Sequence, residues 1–237
     1  MGTVYRLTLR QLTGRARLAI LTVLATLPVI VAALMVASPD APPMTQFETG
    51  ILGAMLSGSI APLVVLAIAA AAFSNEVEDN TLANLSLSPL PRWQIIVPKF
   101  LAAITIAGPF IGASAFATSY IAFLGDPKAV FAVTVSTLVG VILYAAAFLW
   151  LGLMTTYAIG IGLLYIVLWE GFFSGFVTGV RMLSIRHYAI SLMHGLDERR
   201  FNFGTHPALA TVVIISIVAF SGLLYLSIRR LRTMDIP

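Results

Sequence analysis

One acid stands out by its surroundings. Positions 129 to 180 are 52 residues between Lys128 and Arg181, and Glu170 is the only charge among them. A carboxylate at the centre of a bilayer costs about 2.5–3.5 kcal/mol on insertion scales, so it must face protein or water. Two roles fit such a residue. It can line a cavity or gate and meet substrate or a proton, with Trp169 and Tyr144 as neighbours in an otherwise Ala, Leu, Ile and Val environment. It can instead be a structural acid bonded to an adjacent helix. Just beyond it, Gly171, Gly175 and Gly179 recur at four-residue spacing, a smooth stripe on which another helix can pack closely. Gly108 and Gly112 repeat that spacing once, with Pro109 as a candidate kink.

A second cluster is acidic and sits outside the apolar runs. The segment FSNEVEDNTLANLSLSPLPRWQIIVPK carries Glu76, Glu78 and Asp79, then Leu82 and Leu85 at helical spacing, then Pro89 and Pro91. Each proline lacks an N–H and restricts the residue before it, so a short helix there is firmly stopped. Arg92 and Trp93 begin an interfacial stretch that runs to Lys99. Such a segment suits docking of a partner, or a solvated connector with a tryptophan anchor. A third group is His187, His194 and His206 with Met182 and Met193 nearby. Imidazole and thioether suit copper, but the spacing matches no compact ligand motif, and no metal is expected.

These groups must be positioned by membrane helices. The chain has 237 residues, 59% hydrophobic and 10% charged, whereas a soluble domain carries about 25% charged residues. With no cysteine, disulfides and thiolate metal sites are excluded. A crossing helix needs about 20 apolar residues. Uncharged runs place spans at about 18–37, 51–73, 100–125, 130–154, 158–180 and 208–228. The 52-residue run is too long for one crossing and must turn back near Thr155, Thr156 and Tyr157. The reading is one all-α transmembrane domain over 1–237 with six spans, a 1–17 interfacial arm, an inner segment at 74–99 and an outer segment at 181–207.

Lysine and arginine set the orientation. Nine lie on one side: Arg6, Arg10, Arg15, Arg17, Arg92, Lys99, Arg229, Arg230 and Arg232. Five lie on the other: Lys128, Arg181, Arg186, Arg199 and Arg200. The excess puts both termini in the cytoplasm of a multi-pass plasma or inner membrane protein. The net charge of +4 is absorbed by topology, so no nucleic-acid partner is expected. The arm TVYRLTLRQLTGRAR places Arg6, Arg10 and Arg17 near one helical face and Tyr5, Leu9, Leu12 and Ala16 on another, as an amphipathic helix on anionic lipid does. A cleaved signal peptide is the competing reading, but the apolar run exceeds the usual ~7–15 residues. In the outer segment, Ile185, Ala189, Leu192 and Leu196 predict an amphipathic helix at the outer surface.

The inner segment resembles the ABC-2 type permease family. The resemblance rests on Glu76-x-Glu78, Asn80-Thr81-Leu82, Leu85, Ser88-Pro89, Arg92, Ile95-Ile96 and Lys99. The six spans, the basic arm and the long last outer segment follow the same layout. Two departures are Asn80 where the family has glycine, and an inner turn between spans four and five without lysine or arginine. The resemblance implies a dimer, formed with a second copy or a homologous permease, that binds separate ATPase subunits. It implies that Glu76, Glu78, Thr81, Leu82, Leu85, Pro89 and Arg92 form a coupling helix against that ATPase. ATP and magnesium would then sit on the partner, since this chain has no G-x-x-x-x-G-K-[ST] loop and is not expected to be catalytic. The alternatives are a stand-alone channel or secondary transporter using Glu170 as an ion or proton path, a membrane-embedded enzyme, or a scaffold. No histidine lies within a span, which weighs against the enzyme.

Overall fold

A computed structural model describes residues 2–39, 43–73, 91–124, 126–173, 184–201 and 207–233. Among them the chain is helical and contains no strand. Five helices are long and apolar enough to cross a membrane. They are α2 (Arg15–Ala37), α3 (Met44–Phe73), α4 (Trp93–Phe123), α5 (Pro127–Met154) and α8 (Leu209–Thr233). Three further helices are shorter: α1 (Gly2–Leu12), α6 (Ala158–Leu164, continued by Tyr165–Phe173) and α7 (Ile185–Leu196). Several long helices outrun their uncharged cores. Helix α4 begins at Trp93 and takes in Lys99, and α8 carries Arg229, Arg230 and Arg232 in its last turns.

Local chemistry explains the boundaries. Asp126 caps α5, its carboxylate accepting the Lys128 N–H at 3.1 Å and the Ala129 N–H at 3.3 Å. Pro127 follows at the first helical position, where a missing N–H costs nothing. At the other end of α5 the chain turns through Thr155–Tyr157, and the Thr155 hydroxyl accepts the Tyr157 N–H at 3.1 Å. Pro28, Pro98 and Pro109 lie inside helices. Apolar surroundings tolerate this because neighbouring groups take up the freed carbonyls.

Two stretches depart from α-helical winding. Glu48–Ile60 within α3 and Tyr165–Phe173 within α6 are π-helical. They pack against each other. Wide π turns usually occur singly and often at functional sites, so two in contact mark this region as unusual.

Helices α3, α4 and α5 form the centre. Their buried side chains, Val64, Ile96 and Tyr144 among them, form one core with Leu12 of α1 and Leu231 of α8. Small residues set the closest approaches. A Cβ added to Gly152 of α5 would stand 2.6 Å from the Ala70 carbonyl oxygen of α3. Helices α2 and α8 expose apolar side chains such as Ile20, Val23, Leu34, Ile214 and Val218, as helices facing hydrocarbon do. Helix α1 buries Thr8 and Leu12 and leaves Arg6, Leu7 and Arg10 exposed. Its Tyr5 hydroxyl donates to Thr105 Oγ1 on α4 at 3.0 Å.

A polar clasp ties the α4–α5 turn to the end of α7. Arg200 bonds Asp126 at 2.9 Å and lies 4.4 Å from the centre of the Phe123 ring, while Lys128 pairs with Asp197 at 3.5 Å. The Ala129 N–H, with the Arg200 guanidinium and the Lys128 N–H, holds the Asp126 carboxyl below its usual range despite an opposing effect of burial.

Two outcomes are expected. Gly152→Ala forces a shift against backbone and costs about 1–3 kcal/mol, as overpacking does. Gly160→Ala, with nothing within 4 Å, stays within about 0.5 kcal/mol. Thermal midpoints in detergent distinguish the two. For Asp126, a depressed folded pKa means its contribution is present above the unfolded value near ~3.9 and is lost as pH falls through the lower folded value. Asp126→Asn therefore starts from a lower midpoint at pH 7 and shows a smaller further loss on acidification than the native chain.

Candidate functional site

Glu170 is fully buried, at 0% exposure, in the π-helical end of α6. Its carboxylate gathers donors from two elements. The Tyr165 hydroxyl donates at 2.9 Å and the Ile185 N–H at 3.0 Å. The Ser184 hydroxyl also donates, and the Arg186 N–H approaches at 3.5 Å. Ser184, Ile185 and Arg186 are the start of α7. The first N–H groups of a helix have no partner within it, and its positive end favours an anion. Glu170 thus caps α7 from a different helix. Ser184 completes the cap by accepting the His187 N–H at 3.1 Å.

Arg186 closes the arrangement from the other side. Its guanidinium donates to the Glu170 backbone oxygen at 3.2 Å. Its side chain then runs along α3 over two glycines. A Cβ on Gly58 would meet Arg186 Cδ at 3.0 Å, and one on Gly53 would meet Arg186 Nη2 at 3.8 Å. The π winding of Glu48–Ile60 bonds residues five apart, which brings Gly53 and Gly58 onto one side of the helix. A side chain at Gly58 would press on the arginine and on the Gly53 carbonyl at 3.1 Å.

Aromatic rings extend the cluster into α5. Tyr144, 1% exposed, stacks on Phe148 at 5.8 Å, and Phe148 meets Tyr165 edge-on at 6.3 Å. Tyr144 also lies close enough to interact electrostatically with Glu170, Tyr165 and Arg186. Glu170 and Tyr144, both candidates from the sequence, therefore share one site. Trp169 is half-buried on the neighbouring face of α6. Gly171 has no atom of another helix within 4 Å of an added Cβ, and Gly175 and Gly179 lie outside the described residues.

The sequence reading did not connect Ser184, Tyr165, Gly53, Gly58 and Arg186 with Glu170. In the sequence Arg186 counts only as an outer-side charge next to an amphipathic pattern. Helix α7 is instead packed against α5, α8 and the π stretch of α3, and none of its residues is exposed. Ser184 at an N-cap position was the one local signal. Glycines five apart match no α-helical packing pattern.

The second candidate region is only partly described. Glu76, Glu78, Thr81, Leu82, Leu85 and Pro89 lie outside the described residues, and Arg92 stands just before α4. Lys99 is 1% exposed. Its ammonium donates to the Ala72 carbonyl at 2.5 Å and sits 4.1 Å from the centre of the Phe73 ring. Ala72 lies at the border of α3 with the acidic segment. Lys99 therefore binds together the two helix ends from which the acidic segment departs and returns. Among the described residues, no three His, Cys, Asp or Glu side chains gather as metal ligands. His194 Nδ1 is bonded to the Phe201 carbonyl, and His206 lies outside the described residues.

No family model matches the chain, and no curated protein matches it.

Glu170→Ala strands at least three buried donors and costs about 3–5 kcal/mol, the range seen when one member of a buried polar pair is removed. Glu170→Gln, which keeps an acceptor oxygen, costs roughly half as much. Denaturation in mixed micelles measures both. An Ala variant as stable as the native chain would show that this carboxylate does not hold α7.

Proposed function

We propose that the chain is the membrane subunit of an ATP-driven transporter similar to the ABC-2 type permeases, moving its substrate outward. In this reading it crosses the membrane six times. Residues 158–180 form the fifth crossing, and both termini lie in the cytoplasm of a plasma or inner membrane. The arm over α1 rests its Arg6 and Arg10 face on anionic lipid. The protein works as a dimer, with a second copy or a homologous permease. ATP and magnesium belong to a separate cytoplasmic ATPase.

One observation carries the proposal. After a buried apolar helix, the chain places an acidic, proline-stopped segment at 74–90, and the roots of that segment are clasped by a buried lysine. A lysine buried this deeply is costly unless paired. Lys99 is used to fix the exit from α3 against the start of α4. A rigid root is what a segment needs if movement of a docked ATPase is to be passed into the helices. Glu76, Glu78, Thr81, Leu82, Leu85, Pro89 and Arg92 are the proposed contacts. Glu170 is the proposed gate residue, acting with Tyr144 and Trp169 where α6 and α7 meet. The full engagement of its carboxylate by donors favours that role over an open ion path.

The tagged chain, purified in mild detergent, is expected to bring down an ATPase in fixed stoichiometry. Leu82→Asp and Arg92→Glu are each expected to lower the stimulated ATPase rate by roughly tenfold or more, as loss of a central contact does, with membrane insertion unchanged. Absence of any ATPase, with transport persisting without ATP, would contradict the reading. Full coupling in both variants would place the contact elsewhere.

A further inference from the structure

A cleft of about 560 Å³ opens between α5, α6, α7 and α8. Its walls are hydrocarbon and aromatic: Phe148 and Trp150, Ile161, Tyr188, and Ile215 and Leu226 represent the four sides. Polar atoms contribute little. The Tyr165 hydroxyl on its wall is already given to Glu170. The volume falls within the ~300–1,000 Å³ of small-molecule sites, but the lining carries no charged side chain, and its polar groups are the Tyr165 and Tyr188 hydroxyls and the Trp150 indole N–H.

Its shape selects the occupant. On α5 the wall runs from Leu143 to Leu151, and on α8 from Ile215 to Leu226. At ~1.5 Å per residue these are about 12 and 16 Å. Half of a ~30 Å hydrocarbon core is about 15 Å, the depth of one leaflet and so the reach of one lipid chain. Both walls belong to helices apolar enough to cross a membrane, so the medium at the mouth is acyl chain. An unfilled apolar cleft forfeits dispersion contacts, and a chain entering it restores them. An added Cβ at Gly222 meets nothing within 4 Å, so this wall has room for further atoms.

We propose that this cleft is a binding site for one acyl chain of a bilayer phospholipid, seated between α5 and α8 beneath α7. The seated chain packs against the same helices that hold Tyr165 and the start of α7. Its presence does not depend on the transport reading.

The test uses the three tryptophans of the chain. Trp93→Phe with Trp169→Phe leaves Trp150 alone on the cleft wall. In vesicles of phosphatidylcholine brominated on one acyl chain, Trp150 emission is expected to fall relative to unbrominated vesicles. Adding Gly222→Leu, which fills the cleft, is expected to recover at least half of the lost emission. Ala219→Leu, on the same wall, provides the same check should the first variant fail to fold. Equal quenching with and without the filling residue, as for a tryptophan facing bulk lipid, would overturn the proposal. So would the absence of quenching. Quenching by a free brominated fatty acid but not by brominated phospholipid would overturn the lipid assignment. None of these readouts needs ATP or a partner, so their failure is separable from failure of the permease reading.

Discussion

A carboxylate buried among apolar helices must be given donors, and the structure around Glu170 is organised by that requirement. Burial removes solvent from the carboxylate, so the chain itself supplies donors. Tyr165 supplies one from the same helix, and the start of α7 supplies three more. The acid is thereby satisfied, and a helix N-terminus that would otherwise be unpaired is capped. Arg186 follows because it is the next residue of that helix turn. Its path over Gly53 and Gly58 in turn draws in the π stretch of α3. Three elements distant in sequence are thus fixed by one charge.

The sequence made the scaffold readable because hydrocarbon imposes a coarse rule. Long uncharged runs have to be helices, and five of them are long enough to cross a membrane in the structure. Glu170 was equally visible, being the lone charge in its run. Its partners were not. Ser184 and Arg186 lie 14 and 16 residues beyond it, and their meeting is a tertiary event. The π winding of α3 was also hidden, since apolar residues all round a helix leave no stripe from which to read its period. The apolar face of α7 was legible, but its burial was not. An amphipathic pattern reports that one side is apolar, not whether a neighbour covers the other.

Lys99 and Glu170 solve the same problem with opposite signs. The lysine meets the Ala72 carbonyl of α3 and the face of Phe73. The glutamate meets the unpaired N–H end of α7. Each charge is met by polar groups or a ring face of another element, the glutamate at a helix start whose partial charge is complementary, and each joins two elements. In the permease reading, the first junction receives the push of an ATPase and the second lies where a gate would move. Helices α3, α4 and α5, packed at distances set by Gly152 and its neighbours, are the rigid body between them.

The reading requires that the acidic segment and both termini share one face of the membrane, opposite the end of α7. The chain contains no cysteine, so single reporters can be placed without background. Ser86→Cys, Thr3→Cys and Glu198→Cys, each labelled with an impermeant maleimide in intact cells and in inverted vesicles, measure this directly. The account predicts that Ser86→Cys and Thr3→Cys react only in inverted vesicles and Glu198→Cys only in intact cells. Labelling of Ser86→Cys from outside the cell would contradict it, because no cytoplasmic ATPase could then reach the segment.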